Sequence, residues 1–255
     1  YPMETIGQLI GLGAIAGVLP IYLGIALALV IAKAMSRTWE GYLTGIATGV
    51  LVYLFFDLMH EAVEFTGATD LLSWIAFLGS LLIGFVGLVL IEQRQQGRNR
   101  TEPSKLFLPY MIALGMGLHN LGEGLAIGAA YMQGEWVLSG VLIMGFALHN
   151  GTEGFAIIGS AGKSRPGLKD IIMMGLLAGL PTCLGTLISG FAVSHYFTIM
   201  FFALAAGSLL YVIFSLTTIF YTATRRVQSA YGVFTGISLM FVTAMVLQMV
   251  SGIRS

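Results

Sequence analysis

The chain has 255 residues with 12 basic and 12 acidic side chains, so its formal net charge is zero. Charged residues make up 9% and apolar residues 57%, where a soluble domain carries roughly 25% charge, and so few charges cannot solvate a surface of this size. A basic nucleic-acid surface is excluded, a single cysteine excludes a disulfide scaffold, the apolar content excludes disorder, and an integral membrane protein remains.

Eight apolar runs of helix-spanning length follow one another, at about 6–32, 41–65, 71–92, 106–131, 136–161, 169–194, 197–222 and 231–252. They are continuous and do not alternate with period two, which excludes a β-barrel. The expected fold class is an all-α integral membrane protein with eight transmembrane helices in one domain, residues 1–255. The first run is too long for a signal-peptide core and lacks a basic segment before it.

Charge placement gives the expected topology. The breaks after runs 1, 3, 5 and 7 hold Lys33 and Arg37; Arg94, Arg98, Arg100 and Lys105; Lys163, Arg165 and Lys169; and Arg225 and Arg226. The alternate breaks hold no Lys or Arg, and only Arg254 falls on their side. By the positive-inside rule the odd-numbered breaks are cytoplasmic and both termini are outside, in a plasma or inner membrane with lipid around the bundle.

Run 1 contains Pro20, which kinks it. Run 2 carries Asp57, His60, Glu61 and Glu64, a spacing of i, i+3, i+4, i+7 that shares one helix face. That face lies in the expected outer half, where it reads as a negative funnel for cations; the plainer reading, a solvated helix end, suits Glu64 best.

Runs 4 and 5 carry an internal repeat. Gly115-Met-Gly-Leu-His-Asn-Leu-Gly-Glu-Gly-Leu-Ala-Ile127 and Gly145-Phe-Ala-Leu-His-Asn-Gly-Thr-Glu-Gly-Phe-Ala-Ile157 share Leu-His-Asn-x-x-Glu-Gly-x-Ala-Ile. Each copy lies midway along its run, and consecutive helices cross in opposite directions. The two copies should meet near the midplane about a twofold axis in the membrane plane, a transporter signature. His, Asn and Glu of each copy share one face, so two imidazoles, two amides and two carboxylates converge. A glutamate at the bilayer centre costs about 2.5–3.5 kcal/mol, which a bound divalent cation offsets. Histidine, carboxylate and amide oxygen suit first-row ions such as Zn²⁺, Mn²⁺ or Fe²⁺, and the absence of thiolate fits exchangeable rather than closed structural ligation. The bland alternative is a polar network gluing two helices.

Run 6 holds a second interior proline, Pro181, with Thr182, Cys183 and Thr186 after it; Ser208 and Gln248 follow in runs 7 and 8. These hydroxyl and amide groups could line a path, though helix–helix hydrogen bonding is their commoner role, and Cys183 reads as a small core residue. His195 falls in a short external turn.

The paired His-Asn-x-x-Glu-Gly motifs in two consecutive helices of an eight-helix chain resemble the ZIP (Zrt/Irt-like) family of metal transporters. The resemblance covers the whole topology and is specific in runs 4 and 5. It implies a 3+2+3 arrangement with an inverted repeat, a homodimer, elevator-like movement, and uptake of divalent metal into the cytoplasm. It implies His119, Asn120, Glu123, His149, Asn150 and Glu153 as ligands; Asp57, His60 and Glu61 on run 2 are further candidate metal residues on the strength of their own spacing and charge. The metal, Zn²⁺ first and Fe²⁺, Mn²⁺, Co²⁺ or Cd²⁺ after it, would be cargo and not a catalytic cofactor, and the chain would not be an enzyme. Three features depart from the family: Leu180 precedes Pro181 where many members carry a glutamate that bridges a second metal, Phe214-Ser215-Leu216 replaces a His-Glu stretch, and residues 93–105 hold no histidine. Two carboxylates with neutral histidines balance one divalent ion, so one high-occupancy metal is expected. The alternatives are an intramembrane metal-dependent hydrolase, which needs an activated water and a base, and a static metal sensor. No P-loop for ATP-driven pumping is present.

Overall fold

A computed structural model describes residues 3–34, 37–66, 70–98, 106–161, 164, 166–189, 194–220 and 226–251. These are almost wholly helical, and no strand occurs among the described residues. Helix α1 (Met3–Gly13) passes through a π-helical turn (Ala14–Val18) into α2 (Leu19–Ala34). There follow α3 (Arg37–Phe65), α4 (Leu71–Arg98), α5 (Phe107–Met132), α6 (Trp136–Ser160), α7 (Leu168–Ile188), α8 (His195–Phe220) and α9 (Arg226–Ser251). With α1, the π turn and α2 taken as one span, the count is consistent with the eight apolar runs.

Seven of the spans are long and apolar enough to cross a membrane. The exterior agrees: Leu23, Val30, Ile83, Val137 and Phe234 are exposed, an arrangement that lipid tolerates and water does not. The eighth span, α5, is the exception. His119, Asn120 and Glu123 dilute its apolarity, as their counterparts do in α6, and the less apolar remainder of α5 does not make up for them; the fold encloses it. Fifteen of its 26 residues are buried, against eight of 25 in α6.

Helix ends differ from the apolar runs where polar residues continue or stop a helix. α4 runs on past residue 92 to Arg98, because Glu, Gln and Arg are good helix formers and only the bilayer, not the helix, ends at the last apolar residue. α7 stops at Ile188, short of the expected 194, at Ser189, whose hydroxyl turns back to donate to the Thr186 carbonyl at 2.7 Å. α8 starts at His195, with the Ser194 hydroxyl accepting from the Phe197 N–H at 3.4 Å. Of the cations behind the expected sidedness, Arg100, Lys105, Lys163, Arg165, Arg225 and Arg254 lie outside the described residues.

Packing is dominated by four helix pairs: α5 along α7, α3 along α9, α4 along α8, and α2 along α6. All four seams bring main chains together at matched glycines, Gly45 with Gly232 between α3 and α9 and Gly84 with Gly207 between α4 and α8 among them. A Cβ on Gly124 would collide with the Thr182 carbonyl, and one on Gly185 with the Leu121 carbonyl. Likewise a Cβ on Gly154 would meet the Ile21 carbonyl, and one on Gly24 the Gly151 carbonyl. Gly124 and Gly154 directly follow the two motif glutamates, so close backbone approach seats each glutamate's helix against an outer neighbour.

Candidate metal centre

The repeat brings its six polar side chains together inside the bundle. His119, Asn120, Glu123, His149, Asn150 and Glu153 are all buried, none more than 4% exposed. The His119 and His149 rings stand 6.1 Å apart, centre to centre. Phe146, one turn before His149, meets its ring edge-on at 5.6 Å.

The two glutamates are not equivalent. Glu123 Oε1 is shared by both histidines: His149 Nε2 is hydrogen-bonded to it, and His119 Nε2 lies 3.0 Å away. The His119 contact is short but off the hydrogen-bonding direction, so both ring nitrogens of His119 are buried without a hydrogen-bond partner. Glu153 Oε1 is 3.9 Å from His119 Nε2 and likewise has no hydrogen-bond partner. An unsatisfied buried polar atom costs about 1–3 kcal/mol, so such a cluster is stable only if something collects it.

A metal ion fits that requirement. One nitrogen each from His119 and His149 and one oxygen from Glu153 lie within 4.8 Å of one another. Ligand atoms around a tetrahedral zinc, with bonds of about 2.0–2.1 Å, stand roughly 3.4 Å apart. A spread of this order is compatible with the three atoms sharing one ion, with Glu123 alongside. Two carboxylates supply the charge that a divalent ion neutralises.

The asparagines hold the carboxylates. Asn120 Nδ2 donates to Glu153 Oε2 at 2.8 Å and to the Ala178 carbonyl at 3.0 Å. Asn150 Nδ2 donates to Glu123 Oε2 at 2.9 Å and to the Ala16 carbonyl at 2.9 Å. Each Nδ2 thus meets two acceptors, which fixes the amide orientation by chemistry, since only the nitrogen end can donate. The Ala16 carbonyl is open to this bond because Pro20, four residues on, has no N–H to offer it.

The acidic face of α3 stands apart from this group. Asp57, His60, Glu61 and Glu64 are exposed. His60 Nε2 pairs with Glu64 Oε1 at 3.2 Å, both side chains about two-thirds or more exposed. Asp57 is within electrostatic reach of His149 and His60, and Glu61 within reach of Asp57 and Glu64. Of the nine residues singled out in the sequence, six meet in the buried cluster and three lie on the flank leading to it.

Sequence reasoning missed the two main-chain carbonyls, Ala16 and Ala178, that anchor the amides. Pro20 was the available signal for Ala16, whose carbonyl it leaves without its i+4 donor; Pro181 does the same for the Leu177 carbonyl and not for Ala178, which the sequence did not mark. Among the hydroxyls, Thr186 does join helices, donating to the Leu9 carbonyl at 2.8 Å, and Ser208 bonds back to its own helix at Ala205. Cys183 is buried. Comparison with known proteins adds no identity: no family model matches the chain, and no curated protein matches it.

Proposed function

We propose that the chain carries divalent transition-metal ions through the membrane into the cytoplasm, with Zn²⁺ the first candidate and Fe²⁺, Mn²⁺, Co²⁺ and Cd²⁺ the alternatives. The observation that carries this reading is the buried His119–His149–Glu153 group with its unpartnered ligand atoms, midway along helices of membrane-spanning length. Nitrogen and carboxylate donors without thiolate bind such ions exchangeably, as a cargo site requires.

The packing supports an inverted repeat of the kind found in the ZIP family, which the motifs resemble. Exchange the α1–α2 span with α7, α3 with α8, α4 with α9 and α5 with α6. The α5/α7 pair then becomes α6/α2, and α3/α9 becomes α8/α4, so the four main pairs map onto one another. The asparagine bonds follow the same exchange, Asn120 reaching α7 and Asn150 reaching the π turn.

An ion can reach so enclosed a site only if helices move. Hydrogen bonds group the helices in a way that suits sliding. Tyr22 to the Ile172 carbonyl at 2.7 Å, Tyr110 to Asp170 at 2.8 Å and Tyr131 to Gln8 at 2.7 Å tie α1, α2, α5 and α7. Tyr42 with Thr235 at 3.0 Å and Tyr211 to Glu92 at 3.0 Å tie α3 to α9 and α8 to α4. Between the groups, α5 meets α8 through small residues, with Gly122 against Ala205 and Gly115 against Val212. In this elevator-like reading the first group, with α6, carries the ion past the second, in a homodimer embedded in lipid. The acidic α3 face concentrates cations at the outer approach. Uptake of Zn²⁺ into proteoliposomes holding the purified chain tests the proposal; no uptake of any of the five ions rejects it.

A further inference from the structure

A second repeat lies in the helices that flank the metal centre. Gly49-Val-Leu-Val-Tyr-Leu-Phe-Phe-Asp-Leu58 in α3 and Gly207-Ser-Leu-Leu-Tyr-Val-Ile-Phe-Ser-Leu216 in α8 share Gly-x-Leu-x-Tyr-x-x-Phe-x-Leu. The copies occupy matching places. A Cβ on Gly49 would strike the Val233 carbonyl of α9, and one on Gly207 the Leu81 carbonyl of α4. Leu51 and Leu209 are both buried, and Phe56 and Phe214 are both exposed. The copies part at the tyrosine and one turn after it. Tyr211 and Ser215 are 0% and 5% exposed, whereas Tyr53 is half-buried and Asp57 exposed. A Cβ on Gly115 would stand 3.5 Å from Tyr211 Cδ1, and Gly115 precedes His119 by one turn on the same face of α5. The Tyr211 ring therefore packs one turn from the metal centre toward the N-terminal end of α5, the cytoplasmic end in the expected topology. Exchange of α8 with α3 reverses direction across the membrane, so Tyr53 belongs to the outer side. Asp57, one turn past it, is within electrostatic reach of His149.

We propose that Tyr53 and Tyr211 are the paired gates of the transport path, with Tyr211 closed toward the cytoplasm in this conformation and Tyr53 open toward the outside. Tyr211 is latched: its hydroxyl donates to Glu92 Oε2 of α4 at 3.0 Å. Tyr53 meets no such acceptor on the matching neighbour, because α9, which stands beside α3 as α4 stands beside α8, contains no Asp or Glu. The ring supplies the seal, since a large aromatic face packed where Gly115 has no side chain leaves no room for an ion. Both tyrosines lie on the helix group that stays, and Gly115 on the group that carries the ion. Sliding that draws Gly115 off Tyr211 opens the inner side and brings the carrier against Tyr53. One latched gate and one unlatched gate bias the resting protein toward the outward-open state. The gates rest on the transport reading and deepen it.

Thiol labelling of the metal-free protein in vesicles, with a membrane-impermeant maleimide applied from either side, tests the proposal. The reporters are Ser215→Cys on the inner side and Leu58→Cys on the outer, placed separately in a Cys183→Ser background. Adding Tyr211→Phe removes the latch. It is expected to raise cytoplasmic labelling of Ser215→Cys by roughly tenfold, the population shift for losing a hydrogen bond to a charged group, and to lower outside labelling of Leu58→Cys. Glu92→Met breaks the same latch from the other end, should act alike, and decides if Tyr211→Phe does not fold. Unchanged labelling at Ser215→Cys, or labelling that rises at both reporters as plain loosening of the bundle would give, overturns the gates. Reciprocal labelling in a chain that takes up no metal would sink the transport reading and leave a two-state bundle. Unchanged labelling in a chain that does take up metal would sink the gates alone.

Discussion

Asn120 gives Glu153 a hydrogen bond of 2.8 Å at Oε2, while Glu153 Oε1 stays buried and free of hydrogen bonds. One oxygen is held so that the other can ligate. Removing the holder in Asn120→Ala should lower metal affinity about 10–100-fold, the usual effect of losing a group that orients a ligand. Asn150→Ala should act the same way through Glu123. Titration calorimetry on each variant measures the loss, and affinity equal to the unaltered chain would refute the orienting role.

Glu153→Gln and Glu123→Gln remove a ligand charge and the charge shared by both histidines, respectively. Each is expected to abolish uptake while helix content by circular dichroism stays unchanged. Persisting uptake in either variant would show that its carboxylate is dispensable.

Acid should weaken metal binding, because imidazole must be neutral and carboxylate ionised to ligate. Affinity is therefore expected to rise with pH through the weakly acid range, with protons released on binding. Asp70, just outside α4, does not supply this dependence. Its carboxyl is held below the ordinary range, chiefly by the hydrogen bond from Ser73. A lowered carboxyl contributes its stability above the ordinary aspartate range and loses it only as pH falls further into acid. Affinity equal at acid and neutral pH would count against histidine ligation.

The repeat itself was legible in the sequence, because two copies of one motif at the same depth leave few other arrangements. The division of labour within it was not. Periodicity places His119, Asn120 and Glu123 on one face but cannot say that the amide nitrogen, not its oxygen, meets the carboxylate; that depends on the Ala16 and Ala178 carbonyls from distant helices. The α3 face was legible as a face set apart from the repeat, because its i, i+3, i+4, i+7 spacing falls toward one end of run 2 and not at its middle. The π turn left no periodic signal, since five residues inside an apolar run look alike in any helical register.

Gly124→Ala and Gly154→Ala each push a methyl into a facing carbonyl, and overpacking of this kind costs typically 1–3 kcal/mol. Lowered unfolding temperature and reduced uptake are expected in both. Gly79→Ala is the control, since nothing lies within 4 Å of a Cβ there; an equal loss in the control would show that the close seams are not the cause.

Asp57→Asn should raise the metal concentration needed for half-maximal uptake at low ionic strength, and the difference should shrink as salt screens the approach. The exposed His60–Glu64 pair should add no more than about 1 kcal/mol to stability. A salt-independent defect in Asp57→Asn would place that carboxylate in contact with the ion rather than along its approach.

The polar content of α5 also bears on how the chain is made. Among the described residues this is the one span that falls short of the apolarity of a membrane crossing, yet its neighbours α7 and α8 are synthesised after it. A nascent α5 released sideways into lipid would expose Glu123 to hydrocarbon, at about 2.5–3.5 kcal/mol on insertion scales. Its passage out of the translocon is favourable only once the later helices can receive it. The residues that equip the finished bundle to hold an ion thus make its biogenesis non-sequential, and chains truncated before α7 should stall at the ribosome exit or be degraded.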